Sequence, residues 1–150
     1  MNSLSENIDK EKVRFTFSKN ERLCSKKVID KLFLKGSSVF SFPVKLVFIE
    51  TRLSEKIPVQ AGFSVGKRNF KHAVQRNLIK RRMREVYRLN KAGFYNEIGD
   101  KQIAVFFIYT GKTIAEYKQI ETAVKKGMMK ILSELKDSKK NGDNGQQSNR

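Results

Sequence analysis

The sequence predicts an α+β fold, a small two-layer α/β sandwich in which three helices pack on one sheet of about four strands. Two observations carry this. Segments 39–50, 57–65 and 102–109 are rich in β-branched and aromatic residues and read as strands. Segments 25–35, 73–90 and 113–135 space their apolar residues at the helical period instead. The order helix, strands, long helix, strand, helix describes one sheet with helices laid against it. At 150 residues the chain suits one compact domain, placed here at 15–135.

The first fourteen residues lack apolar periodicity and are assigned to a disordered segment, 1–14. Ser25 stands where an N-cap belongs. Val28, Ile29, Leu32 and Phe33 then share one helical face, and Gly36 supplies a stop. In 39–50, Pro43 cannot donate to a ladder, so the strand is an edge, bulges there, or begins there. The strand 57–65 follows a polar loop, 51–56, and is expected to pair with the preceding strand in antiparallel fashion. After Lys67 the period lengthens, and Ala73 to about Asn90 forms a long helix without Gly or Pro, with Gly93 just past its expected end. The run Ile103-Ala104-Val105-Phe106-Phe107-Ile108 is continuously apolar, as in a strand covered on both faces. Thr113 is expected to cap a last helix reaching about Leu135, whose inward positions are Ala115, Ile120, Ala123, Val124, Met128, Ile131 and Leu132. The remainder, 136–150, is a polar Gly/Asn/Gln/Ser tail expected to be disordered.

The formal net charge is +17, far beyond what solubility alone calls for. Such a charge speaks to partners that are polyanions. It is concentrated: from Gly62 through Lys91 there are ten Lys or Arg and one acid, Glu85. A block of like charge that carries helical periodicity and follows a strand is a folded cationic surface rather than a disordered tail.

Enzyme machinery is missing by contrast. The single cysteine, Cys24, can form neither an intrachain disulfide nor a metal site alone. It reads as a small apolar residue near a helix start. His72 is the only histidine, no Ser-His-Asp or Cys-His set is apparent around it, and it reads as an RNA or backbone contact. The carboxylates are dispersed, with no cluster for two metal ions, and no phosphate-binding glycine loop occurs. No catalytic and no metal-ligating residue is assigned. The N-terminus has no apolar signal core and no run approaches a membrane span, so a cytoplasmic protein with no membrane partner is expected.

On the long helix, Ile79, Met83, Val86 and Tyr87 fall within about 100° of arc, enough for a buried stripe. Asn77, Lys80, Arg81, Arg84, Arg88 and Lys91 occupy an adjacent arc, with Arg76 near the apolar border. At 1.5 Å per residue that row runs about 20 Å, the reach of several phosphates. A merely solvated face would need carboxylates to pair with, and only Glu85 is at hand. Arginine forks take two phosphate oxygens or stack on a base, lysine acts as a point charge, and Asn77 can pair with a base edge or sugar.

These residues resemble a known signature. Phe63-Ser64-Val65 with Lys67-Arg68, then Ala73-Val74-Gln75-Arg76-Asn77-Leu78-Ile79-Lys80-Arg81, is similar to the motif of the bacterial ribonuclease P protein component. Upstream, Ile29-Asp30-Lys31-Leu32-Phe33 with Gly36 resembles that family's first helix, and the likeness covers about Arg22 to Met129. The resemblance implies a subunit of an endoribonuclease, a hydrolase whose catalytic site lies in its RNA. The partners it implies are that catalytic RNA and precursor tRNA, with no obligate protein partner, and the product is tRNA freed of its 5′ leader. Mg²⁺ is implied as cofactor, held mainly by RNA and substrate. It further implies a left-handed β-α-β crossover, against the usual preference, where the residues by themselves predict the other hand.

Carried over by position, Lys67, Arg68, Arg76, Asn77, Lys80, Arg81, Arg84 and Arg88 would face the catalytic RNA. Ile29, Phe33, Phe42 and Val47 would line a cleft for the single-stranded leader, Phe33 being the best base-stacking candidate. Three positions depart from the pattern. Leu78 replaces a usual arginine, Ile29 and Val47 replace frequent aromatics, and the turn Asn69-Phe70-Lys71-His72 is longer and bulkier. Two other readings use the same helix: a structural RNA-binding protein such as a ribosomal component, and a DNA-binding regulator, which lacks the expected helix-turn-helix partner.

Overall fold

A computed structural model of the protein describes residues 17–148, with side chains through 137; the expected disordered segment 1–14 lies outside the described residues. A 3₁₀ turn, Lys19–Glu21, leads into α1 (Lys26–Lys35), β1 (Ser37–Ser41), β2 (Val44–Glu50), β3 (Val59–Val65), α2 (Ala73–Ile98), β4 (Ile103–Tyr109) and α3 (Tyr117–Ser148). The sheet order is β1-β2-β4-β3, antiparallel except for the parallel pair β3/β4, whose connection is α2.

Strand order corrects the expected pairing of β2 with β3. β4 lies between them because its continuous apolar run is the one best suited to a central place. The loop 51–58 therefore has to cross the end of β4, and Gln102 holds it there. The Gln102 side chain donates to the carbonyls of Glu55 (2.8 Å) and Ile57 (2.9 Å) and accepts from the amide of Leu53 at 3.0 Å. The segment 39–50 is likewise two strands. Ser41 pairs with Val44, so Phe42 and Pro43 form a tight hairpin turn, and the Pro43 carbonyl accepts from both the amide and the hydroxyl of Thr110 (2.8 and 3.0 Å).

Alternation divides the sheet into two faces. Leu46, Phe48, Val59, Ala61, Val105, Phe107 and Tyr109 join one core with α2 and α3, while Val47, Ala104 and half-buried Ile49, Phe106 and Ile108 join a smaller one under α1 with Leu32. The expected inward positions of α2 and α3 all lie in or against the large core.

Three helix ends differ from the sequence expectation. α2 passes through Gly93 because Phe94 and Ile98 continue its buried stripe, which outweighs the ~1 kcal/mol propensity cost of one glycine. It stops at Gly99, whose φ of 69° suits glycine alone. α3 starts at Tyr117, not at Thr113, whose carbonyl instead accepts from the Tyr109 hydroxyl at 2.5 Å. It runs on from Leu135 to Ser148, into the segment assigned to a disordered tail. α1 ends at Gly36 as expected, but with φ −72°; the glycine is needed for space, since a Cβ there would meet the Leu32 carbonyl and stand 2.9 Å from that of Phe48.

Candidate nucleic-acid interface

The first candidate surface is the outer side of α2 and the turn before it. Ile79, Met83, Val86 and Tyr87 are buried against the sheet, which fixes the helix rotation and turns the cationic arc outward. Phe70, in the bulky turn, is also buried and packs against the Tyr109 ring at 5.9 Å. That anchor leaves Lys67 and Arg68 exposed at the helix entrance. The side chains of Lys67, Arg68, Asn77, Lys80 and Arg81 make no hydrogen bond or ion pair with described residues.

The remaining members of the row do structural work. The Arg76 guanidinium donates to the carbonyls of Phe70 (2.6 Å) and Lys71 (2.9 Å), closing the turn onto the helix. Arg84 lies over the Phe63 ring, 6.0 Å from its centroid, an arrangement that orients the guanidinium at modest energetic gain. Arg88 donates through Nε (3.1 Å) and Nη2 (2.6 Å) to Glu85, and this bond holds the Glu85 carboxyl below its ordinary value against the opposing effect of burial. Arg82, on a different side, donates to the Ala115 carbonyl at 2.6 Å and ties α2 to the approach of α3.

Lys91 does not belong to the exposed row. It is 3% exposed and ion-paired with Glu21, itself 6% exposed. Glu21 also accepts from the Ser18 amide (2.7 Å) and the Tyr95 hydroxyl (2.8 Å), and Tyr95 meets Tyr87 at 3.0 Å. Burial opposes the Glu21 charge, but Lys91, Ser18 and Tyr95 outweigh it and set the carboxyl below its usual value. Burial also raises the Tyr87 and Tyr95 hydroxyls, so both stay protonated. This network straps the segment 17–23 along the free edge of β3, where Arg22 bridges to Ala61 and Phe17 packs edge-on against Phe63 and Tyr87.

The second surface is the sheet face under α1. The ten-residue helix, capped by Ser25 accepting from the Val28 amide at 3.4 Å, buries Val47 and Ala104 and leaves Ile49, Phe106 and Ile108 half-buried. Beyond it the face is open. Of the four expected cleft residues, Phe33 is 51% exposed, Ile29 is half-buried and Phe42 is exposed on the hairpin turn. Val47 is buried beneath α1 and offers almost no surface.

Sequence reasoning missed the floor of this cleft. Phe106 lies 5.4 Å from Phe33, ring to ring, and Ile108 and Lys45 continue the face; Ile108 is half-exposed and Lys45 exposed. β4 is thus covered on both faces only as far as Ala104. The Phe106 ring lies against Gly62, where a Cβ would stand 2.7 Å from it. Gly62, just before the signature in the strand 57–65, was the available signal, since a bare position in a strand marks a close approach.

Cys24 is exposed at the entrance to α1, and His72 is exposed at the start of α2, with its carbonyl accepting from Gln75 and Arg76 amides. Among the described residues no three of His, Cys, Asp and Glu come together to hold a metal, and no helix is long and apolar enough to cross a membrane.

The fold is that of a small α+β protein with a cationic helix on one side of a sheet and an open aromatic cleft on the other. The ribonuclease P family model matches residues 17–132. The ribonuclease P protein component of Porphyromonas gingivalis W83 is 30% identical over 129 residues, covering 83% of this chain and 92% of that protein. Its counterpart in Chlorobium phaeobacteroides is 33% identical over 130 residues, covering 78% and 89%. The chain belongs to the ribonuclease P protein component family. Solved structures share the fold: the Staphylococcus aureus RNase P protein aligns with a TM-score of 0.59 at 23% identity, covering 74% of this chain and 94% of that one. The Thermotoga maritima RNase P protein gives 0.55 at 23% identity, covering 69% and 91%.

Proposed function

We propose that this chain is the protein subunit of ribonuclease P and acts in the cytoplasm. It binds the catalytic RNA through the outer side of α2 and the 5′ leader of precursor tRNA in the cleft beside α1. The observation that carries the reading is the row of Lys67 and Arg68 before α2 and Asn77, Lys80 and Arg81 on it, half-buried at Lys80 and exposed elsewhere, whose side chains have no partner among the described residues while the helix's other side is locked in the core. Desolvated phosphates supply the missing counter-charge. Arg84, held by Phe63, and Arg88, shared with Glu85, extend the row. Arg76 contributes by fixing the turn that presents Lys67 and Arg68.

The chain's own described residues do not fit a resident metal, so the Mg²⁺ implied for phosphodiester hydrolysis is assigned to the RNA and the substrate. The protein binds, orients and neutralises. In the cleft, Phe33 and Phe106 offer ring faces to unpaired bases, a sequence-tolerant interaction of about 1–3 kcal/mol per base.

The test is reconstitution with a catalytic RNA of ribonuclease P at low Mg²⁺, followed by cleavage of precursor tRNA. Restored cleavage is expected, with an affinity for that RNA that falls steeply with salt. Binding without restored cleavage would leave a structural RNA-binding role, and neither binding nor cleavage would refute the reading.

A further inference from the structure

A groove outside the cleft joins aromatic and cationic groups at the opposite edge of the sheet. It has a volume of about 630 Å³ and is bounded on one side by Phe40 and Phe42 and on the other by Lys118, Lys126 and Lys130 of α3, with Glu116 at its end. Phe40 and Phe42 are 52% and 62% exposed, and their rings stand 6.3 Å apart. Phe40 near the end of β1 and Phe42 on the hairpin turn leave two large rings in water, where they bury little apolar surface for the fold.

The packing explains why the groove exists. A Cβ at Gly127 would collide with the Leu46 side chain, so α3 crosses the sheet in close contact with β2 at that point. Lys126 and Lys130 then flank the crossing along the β1 edge. The Lys130 ammonium donates to the Phe40 carbonyl at 2.6 Å, which covers an edge-strand acceptor and fixes one cation beside the ring. Lys118 and Lys126 carry no such bond to described residues.

Strand register shows where the groove leads. Phe40 pairs with Lys45, Lys45 with Ile108, and Ile108 with Ser64. These four lie in one row across the open sheet face, beside Phe106 and the Phe33 ring. The row spans three strand spacings, about 14 Å, and ends at the groove. A continuous path therefore runs from the cleft beside α1, past Lys45, over Phe40 and Phe42, to the lysines of α3. Alternating rings and cations of this kind match the bases and phosphates of a single strand.

We infer that this path carries the 5′-distal part of the precursor-tRNA leader, so that the groove between the β1–β2 turn and α3 is a second leader-binding site. The inference rests on the proposed function and deepens it: three lysines against one carboxylate leave the groove cationic, and only a strand already seated in the cleft is delivered to it.

The test measures binding and cleavage by holoenzymes reconstituted with wild-type protein, Lys118→Ala/Lys126→Ala, or Phe42→Ala. Substrates carry leaders graded from a few nucleotides to lengths that overrun the cleft. Wild type should gain affinity as the leader lengthens past the cleft. Phe42→Ala should remove about tenfold of that gain, and the lysine pair should lower the salt slope of the long-leader complex by about 1.4. Absence of a length-dependent gain overturns the inference, as does a gain indifferent to all three substitutions. Equal losses at every leader length assign the groove to the catalytic RNA instead, which also overturns it. Failure to restore cleavage with any leader removes the proposed function and this inference together, a result distinct from the others.

Discussion

The two faces of the sheet use the same strands and treat neighbouring residues of β4 in opposite ways. Phe107 is sealed under α2 and α3, where it stacks on Phe63 at 5.0 Å and meets Tyr87 at 5.5 Å. Phe106, one residue earlier, points to the face that α1 covers only in part. The sealed face holds the molecule together, while the other keeps apolar surface in water and is the natural place for a ligand. Removing the Phe107 side chain should accordingly have the largest effect on the fold. Phe107→Ala is expected to cost about 3–5 kcal/mol in denaturant unfolding, and Phe106→Ala substantially less. Phe106→Ala should instead weaken binding of precursor tRNA over mature tRNA. Similar unfolding losses for the two would erase the distinction between faces.

The strap across the β3 edge sharpens the comparison, because it adds a buried ion pair to the apolar packing of the sealed side. Lys91→Ala leaves Glu21 buried without its ion pair, and loss of one partner from such a pair costs about 3–5 kcal/mol. The pH dependence has a definite sign. The folded Glu21 carboxyl titrates below its ordinary value of 4.5. Its contribution is therefore fully present above that value and is lost as pH falls through the depressed folded one. Glu21→Gln should lower stability at neutral pH and flatten the acid limb of the curve. An unaltered acid limb would show that the pair does not govern it.

Much of the sealed side was legible in the sequence. The apolar stripe of α2 and the inward positions of α3 are set by local periodicity, which a single chain displays directly. Strand order was not legible, because pairing across β4 depends on contacts distant in sequence and on a loop held by Gln102. Gly93 misled for a related reason: its local cost is outweighed by burial of Phe94 and Ile98 further along. Lys91 looked like one more exposed cation because its partner stands seventy residues upstream. On the open side, Phe33 and Ile29 were found through the resemblance to a known motif. Phe106, Ile108 and Lys45 were hidden within runs that read as ordinary strand. The cationic row itself was visible, but which of its members were already bonded within the protein was not.

That last division yields a smaller effect with a clear reading. Arg76 and Arg81 share one helix and one charge, yet Arg76 is bonded to two carbonyls of the turn and Arg81 to none. Arg76→Ala should cost about 1–2 kcal/mol of stability through its lost charge-assisted bonds, and should loosen the turn carrying Lys67 and Arg68. Arg81→Ala, at an exposed site without such bonds, should fall within about 0.5 kcal/mol of wild type. Its effect belongs to RNA binding alone, with a fall of about one unit in the slope of log K against log salt. If Arg81→Ala kept the full salt slope, Arg81 would not contact a phosphate. If Arg76→Ala left unfolding unchanged, its guanidinium would be free for RNA, and the boundary drawn here between presenting and contacting cations would have to move.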